Sequence, residues 1–132
     1  MRNRALADDW LRRARSNLER ARGGKVSEGV LYEDLCFDCQ QAVEKSLKAL
    51  LVGLDVVFPW SHSISRLIEL LEQGGTEVPD GLKGSTALTD YAVTARYPGS
   101  HEPVDREEYE EALGLAETAF AWVITVIEDV GP

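Results

Sequence analysis

Residues 34–50 read DLCFDCQQAVEKSLKAL, and the way these side chains distribute decides the fold. Leu35, Ala42, Val43, Leu47, Ala49 and Leu50 recur at spacings of three, four and seven, the rhythm of a helix rather than of a strand. Together they cover a broad apolar face, wider than the single stripe of a surface helix, so the spacing predicts a central helix over 31–54 packed on two sides. Gln40, Gln41, Glu44, Lys45 and Lys48 form a polar strip on the same helix. Glu44 and Lys48 stand four apart in the favourable order, worth a few tenths of a kcal/mol (~0.2–0.5) on an exposed helix. The strip either lines a cleft or is the outer face.

Working outward, residues 3–22 are a first helix whose stripe is Leu6, Trp10, Ala14, Leu18 and Ala21, ended by Gly23-Gly24. Beyond the central helix, Asp55 to Trp60 is an apolar connection closed by Pro59. Ser61 and Ser63 are N-cap candidates for a short third helix with Ile64, Leu67, Ile68 and Leu71, stopped by Gly74-Gly75. A fourth helix is expected through Leu88, Tyr91, Ala92 and Ala95, ending at Pro98-Gly99. Asp105 caps a last helix with Glu107 and Glu108 in its first turn, where the helix dipole favours anions. Its stripe is Tyr109, Ala112, Leu113, Ala116, Phe120, Val123 and Ile127. Alternating strand patterns are absent, so the fold class is all-α, an up-and-down bundle with short connections. Trp10, Trp60 and Trp122 are assigned to core packing. The 132 residues are expected to form one domain, 1–132.

Composition narrows the function. A net charge of −9 argues against nonspecific binding along a nucleic-acid backbone, DNA above all. The charge is uneven: residues 1–25 carry eight Lys/Arg against three Asp/Glu, and residues 102–132 nine Asp/Glu against Arg106 alone. The two ends either attract one another, serve a partner, or are simply solvated faces. No apolar run approaches the ~18 residues of a membrane span. Two cysteines build no disulfide framework, and no apolar signal segment follows Met1-Arg2-Asn3-Arg4, so a cytoplasmic location with no membrane partner is expected.

Three groups carry possible chemistry. Arg96 and His101 pair a fixed positive charge with a group that titrates near neutrality. Such a pair can cleave RNA, His101 moving a proton and Arg96 holding the phosphate, or Arg96 can pair with a carboxylate and His101 be an exposed loop residue. Cys36 and Cys39 have the spacing of metal and redox sites. A zinc site would need His62 and His101 as well, and small buried residues one helical turn apart is the simpler account. No metal and no cofactor are expected. His62, between two serines, is expected to cap or pack a loop.

The motif at 34–50, Pro59-Trp60-Ser61-His62-Ser63-Ile64 and Ala95-Arg96-Tyr97-Pro98-Gly99 together resemble the HEPN domain family of higher eukaryotes and prokaryotes, in its small stand-alone prokaryotic form. The resemblance runs through nearly the whole chain in the right order. It implies a five-helix antiparallel bundle, usually a homodimer, often encoded beside a minimal nucleotidyltransferase as a toxin–antitoxin or similar pair. It also implies two alternatives for function. One is a binding module that partners the nucleotidyltransferase and holds a nucleotide or its substrate through Gln41, Lys45 and Arg96. The other is a metal-independent RNase toxin with Arg96 and His101 as catalytic residues facing a second copy across a dimer cleft. The sequence departs from the RNase pattern in two places: Pro98-Gly99 interrupts the helix that would carry the pair, and Pro103 stands where adenylylated toxins carry a tyrosine.

Overall fold

The computed structural model describes residues 3–92, 97–99 and 102–131. Its α-helices are α1 (Arg4–Arg22), α2 (Tyr32–Gly53), α3 (Ile64–Gln73), the single turn α4 (Asp80–Lys83) and α5 (Arg106–Val130), with a 3-10 segment at Gly84–Ala92 between the last two. No strand occurs among the described residues, and no helix among them is long and apolar enough to cross a membrane.

α2 is the axle. It packs most extensively on α1, then on α5, the 3-10 segment and α3. Leu35, Ala42, Val43, Leu47, Ala49, Leu50 and Leu51 are all buried, as the broad apolar face requires. Bonds between helix ends fix the antiparallel directions. Asn3 Nδ2 donates to Asp55 Oδ1 at 2.7 Å, and Asn17 Nδ2 to Asp38 Oδ1 at 2.9 Å, so α1 runs against α2. Arg4 reaches the Gly131 carbonyl at 3.3 Å, and Arg22 meets Glu117 at 3.0 Å, so α5 also runs against α1. The Arg22–Glu117 pair links the basic first helix to the acidic last one, although both residues are exposed and such a pair contributes at most about 1 kcal/mol.

Two of the three cap candidates form: Ser63 Oγ accepts from the Arg66 N–H and Asp105 Oδ1 from the Glu108 N–H, whereas Ser61 is not the N-cap and its Oγ accepts from the Ser63 N–H just before α3. α2 ends in a Schellman motif: the Asp55 N–H bonds the Val52 carbonyl and the Val56 N–H the Leu51 carbonyl. Asp55 sits at φ 59° in the left-handed region, which Asp tolerates better than most residues. This sharp stop throws residues 56–62 outward over the start of α1.

Three expectations need correction. Trp60 is not in the core; Pro59 holds its segment outside the helices, and the side chain is 91% exposed. Leu6 is also exposed, because the buried line of α1 runs Ala7, Ala14, Leu18, Ala21 and leaves Leu6 on its flank. The fourth helix is one α-turn followed by 3-10 winding as far as Ala92; Ala95 lies outside the described residues. Gly84, Ser85, Thr86 and Thr89 all have weak α-propensity, and Ser85 Oγ donates to the Leu82 carbonyl at 2.7 Å.

Candidate functional site

The polar strip of α2 splits into two networks with different neighbours. The first is a buried ion pair. Glu44 and Lys48 are each 4% exposed, and Gln40 is fully buried. Lys48 Nζ donates to Glu44 Oε2 at 2.7 Å, and Gln40 Nε2 donates to Glu44 Oε1 at 2.9 Å. His62 Nδ1 lies 2.9 Å from the same Oε1. An ionised carboxylate only accepts, so this contact places a ring proton on Nδ1 of the half-exposed imidazole. Gln41 Nε2 donates to Gln40 Oε1 at 2.7 Å and extends the network to the surface.

Three aromatic rings lie near this pair, Trp10 and Phe58 packed against the core and Trp60 largely in solvent. The Lys48 ammonium lies 5.6 Å from the Trp10 ring centre and 5.7 Å from those of Phe58 and Trp60. Each is within reach of a cation–π attraction, about 0.5–2 kcal/mol depending on desolvation. Burial pushes the Glu44 carboxyl up, but the hydrogen bonds from Lys48, Gln40 and His62 outweigh it and hold the group below the usual glutamate range. The strip is therefore not the outer face, and the exposed-pair energy does not describe Glu44–Lys48.

The second network faces a cleft. Lys45 Nζ donates to Asn17 Oδ1 at 2.7 Å; Asn17 is fixed by Asp38, which also meets Arg20 at 3.2 Å. Lys45 shares a cleft of about 360 Å³ with Leu6, Asp9, Trp10 and Arg13. Burial lowers the Lys45 pKa; Glu44 and Asp38 oppose this, while Arg13 and Arg20 add to it. The ammonium is thus held by a neutral amide oxygen, among charges of both signs, at the mouth of an open cleft.

Gln41 and Lys45 stand one turn apart on α2 yet belong to separate networks. Arg96 and His101 lie outside the described residues. Asn17, Asp38, Trp10 and Phe58 were not singled out by sequence reasoning as site residues. The available signal was Asn17 beside Leu18 and Asp38 between Cys36 and Cys39, polar side chains in otherwise buried stretches.

The two cysteines are fully buried free thiols. Burial, aided by Glu108, pushes Cys36 up to about 12, and burial pushes Cys39 higher still. A thiolate is the reactive and metal-binding form, so the environment is one of inert packing. Among the described residues no three His, Cys, Asp or Glu side chains are grouped to hold a metal. Both thiols are expected to react with a disulfide reagent in denaturant, and at least ~100-fold more slowly in native protein, because reaction there requires opening of the core. Comparable rates in the two states would contradict the burial.

Known proteins share this architecture. The sequence model of the HEPN domain matches residues 7–128. A similar crystal structure is TT1696 from Thermus thermophilus, 38% identical, covering 93% of this chain and 98% of that one with a TM-score of 0.76. Another is ST0689, an archaeal HEPN homologue, 29% identical, covering 92% of this chain and 97% of that one with a TM-score of 0.71. No curated protein matches the sequence.

Proposed function

This chain belongs to the HEPN domain family, and on that footing we propose that it is a homodimeric module that partners a minimal nucleotidyltransferase and binds a nucleotide, or a substrate carrying phosphate, at the α1–α2 cleft. The observation that carries the reading is Lys45, whose ammonium is hydrogen-bonded to a neutral amide beside Arg13 in that cleft. A cation held by Asn17 keeps most of its charge for an incoming phosphate, whereas one already bonded to a carboxylate does not. Arg13 is shared with Asp9 at 3.1 Å, an exposed pair that a dianionic phosphate can displace at small cost. Gln41 and Arg96 are the further proposed contacts, Gln41 for its position one turn before Lys45.

Millimolar ATP or AMP is expected to raise the melting temperature of the wild type. At a ligand concentration ~100 times Kd the stabilisation is about 2.7 kcal/mol. Lys45→Met is expected to abolish most of that shift while leaving the ligand-free melting point nearly unchanged. No shift with either nucleotide would remove the ligand from this reading. Induction of the protein alone is expected to leave growth unaffected, and a separately supplied nucleotidyltransferase is expected to co-purify with it. Growth arrest by the wild type, relieved by Arg96→Ala and by His101→Ala at equal protein levels, would establish the RNase toxin instead.

A further inference from the structure

The Lys45 cleft has a charged end and an apolar end, and α1 sets both. Leu6 and Trp10 stand four apart on that helix, as do Asp9 and Arg13, and all four line the cleft with Lys45. Residues four apart share a helix face, so the two pairs run side by side along α1. Asn17, one turn beyond Arg13, holds the Lys45 ammonium, which puts both cations at one end. From Arg13 back to Leu6 the helix rises about 10 Å. The other end is therefore the Trp10 indole and Leu6, which is 53% exposed.

Trp10 is held in place there. Half-buried, it packs against the core, and its ring centre lies 5.6 Å from the buried Lys48 ammonium. An indole fixed from the core side, with an exposed leucine one turn away, makes a slot for a flat ring and loses little side-chain freedom when one stacks on it. Two cations alone would take inorganic phosphate as readily as a larger ester. The apolar end has a use only for a ligand with a ring to bury.

Asp9 lies between the two ends and is the one acid among the described lining residues. Its Oδ1 accepts from Arg12 at 2.7 Å and its Oδ2 from Arg13 at 3.1 Å, and these two guanidiniums hold the carboxyl below the usual aspartate range. When a phosphate takes Arg13, Asp9 keeps Arg12 and has Oδ2 free to accept from a hydroxyl. Anion, hydroxyl and flat ring, in that order along the cleft, is the layout of a nucleoside 5′-phosphate.

We infer that Trp10 is the specificity-determining residue of this cleft, stacking on the base of a nucleoside 5′-phosphate whose phosphate sits on Lys45 and Arg13. This rests on the Lys45 reading above and narrows its ligand from any phosphate ester to one that carries a flat ring.

Calorimetric titration of the full chain with AMP and with ribose 5-phosphate tests it. The wild type is expected to bind AMP at least ~10-fold more tightly than ribose 5-phosphate, which has the same sugar and phosphate without the ring. Trp10→Leu is expected to weaken AMP by at least ~10-fold and ribose 5-phosphate by less than ~2-fold. Trp10→Phe keeps a flat ring and is expected to retain most of the preference. Lys45→Met is expected to weaken both ligands together. Equal wild-type affinity for the two ligands, with both weakened by Lys45→Met, overturns the role of Trp10 and leaves the Lys45 reading standing. So does a Trp10→Leu variant that weakens both ligands alike, the mark of a merely structural ring. Should Trp10→Leu fail to fold, the wild-type preference and Trp10→Phe decide between these outcomes. No binding of either ligand at millimolar concentration overturns both readings.

Discussion

Glu44→Ala is expected to destabilise the protein by about 3–5 kcal/mol, the cost of leaving a buried charge without its counter-ion. The reason lies in where the pair sits. Lys48 is 4% exposed beneath Trp10, Phe58 and Trp60, and Glu44 is the carboxylate on its ammonium. Gln40 and His62 lose their shared acceptor in the same substitution. The double variant Glu44→Leu/Lys48→Met is expected to recover most of the loss, because an apolar pair of similar volume needs no desolvation. Urea unfolding of the wild type and both variants at neutral pH measures this directly. A single-variant loss under about 1 kcal/mol, the range of an exposed pair, would show that water reaches the network. Acid gives a second reading. The Glu44 pKa is depressed in the folded state, so its contribution is complete above the unfolded value of 4.5 and is lost as pH falls through the folded value. The stability gap between wild type and Glu44→Gln is therefore expected to narrow in acid below pH 4.5 and to hold steady at neutral pH.

Leu50→Ala is the second large effect, an expected loss of about 2–5 kcal/mol. Leu50 has no exposed surface and lies on the helix at the centre of the core. Truncation removes the transfer energy of the lost carbons and leaves a cavity that α1 and α5 cannot both close. In a thermal melt each kcal/mol corresponds to roughly 3–6 °C for a chain of this length. A loss below about 1 kcal/mol would mean that the helices collapse onto the vacancy, and that α2 is less tightly gripped than its burial indicates.

How far such features can be read beforehand depends on what spacing encodes. The broad face of α2, the caps at Ser63 and Asp105 and the stripe of α5 follow from local periodicity and capping chemistry, and the structure has them. The polar strip is also visible in the sequence, but its burial is not. Glu44 and Lys48 stand four apart whether water surrounds them or not; the difference comes from Trp10, Phe58, Trp60 and His62, which arrive from other parts of the chain. Tryptophan is usually well buried, which makes the core the natural assignment for Trp60. The Asp55 turn that carries it outward depends on a left-handed backbone that a bare sequence does not announce. The 3-10 segment reads as α-helix because Leu88, Tyr91 and Ala92 suit either winding. For the site, Lys45 is legible as a cation on a central helix. Its neutral holder Asn17 is not, because it belongs to another helix.

The central place of α2 also sets an order of events during synthesis. α1 and α2 are neighbours in sequence and antiparallel in space, so this hairpin can close as soon as Gly53 has left the ribosome. The side of α2 that α5 covers stays bare until the rest of the chain, through Val130, has followed. Several seconds pass in that interval at ordinary translation rates of ~5–20 residues per second. During them Cys36 and Cys39 have yet to be sealed, and Tyr109 has yet to donate its hydroxyl to the Ala21 carbonyl. The nascent hairpin, rather than the finished bundle, is the form in which this chain is open to oxidation and to chaperones.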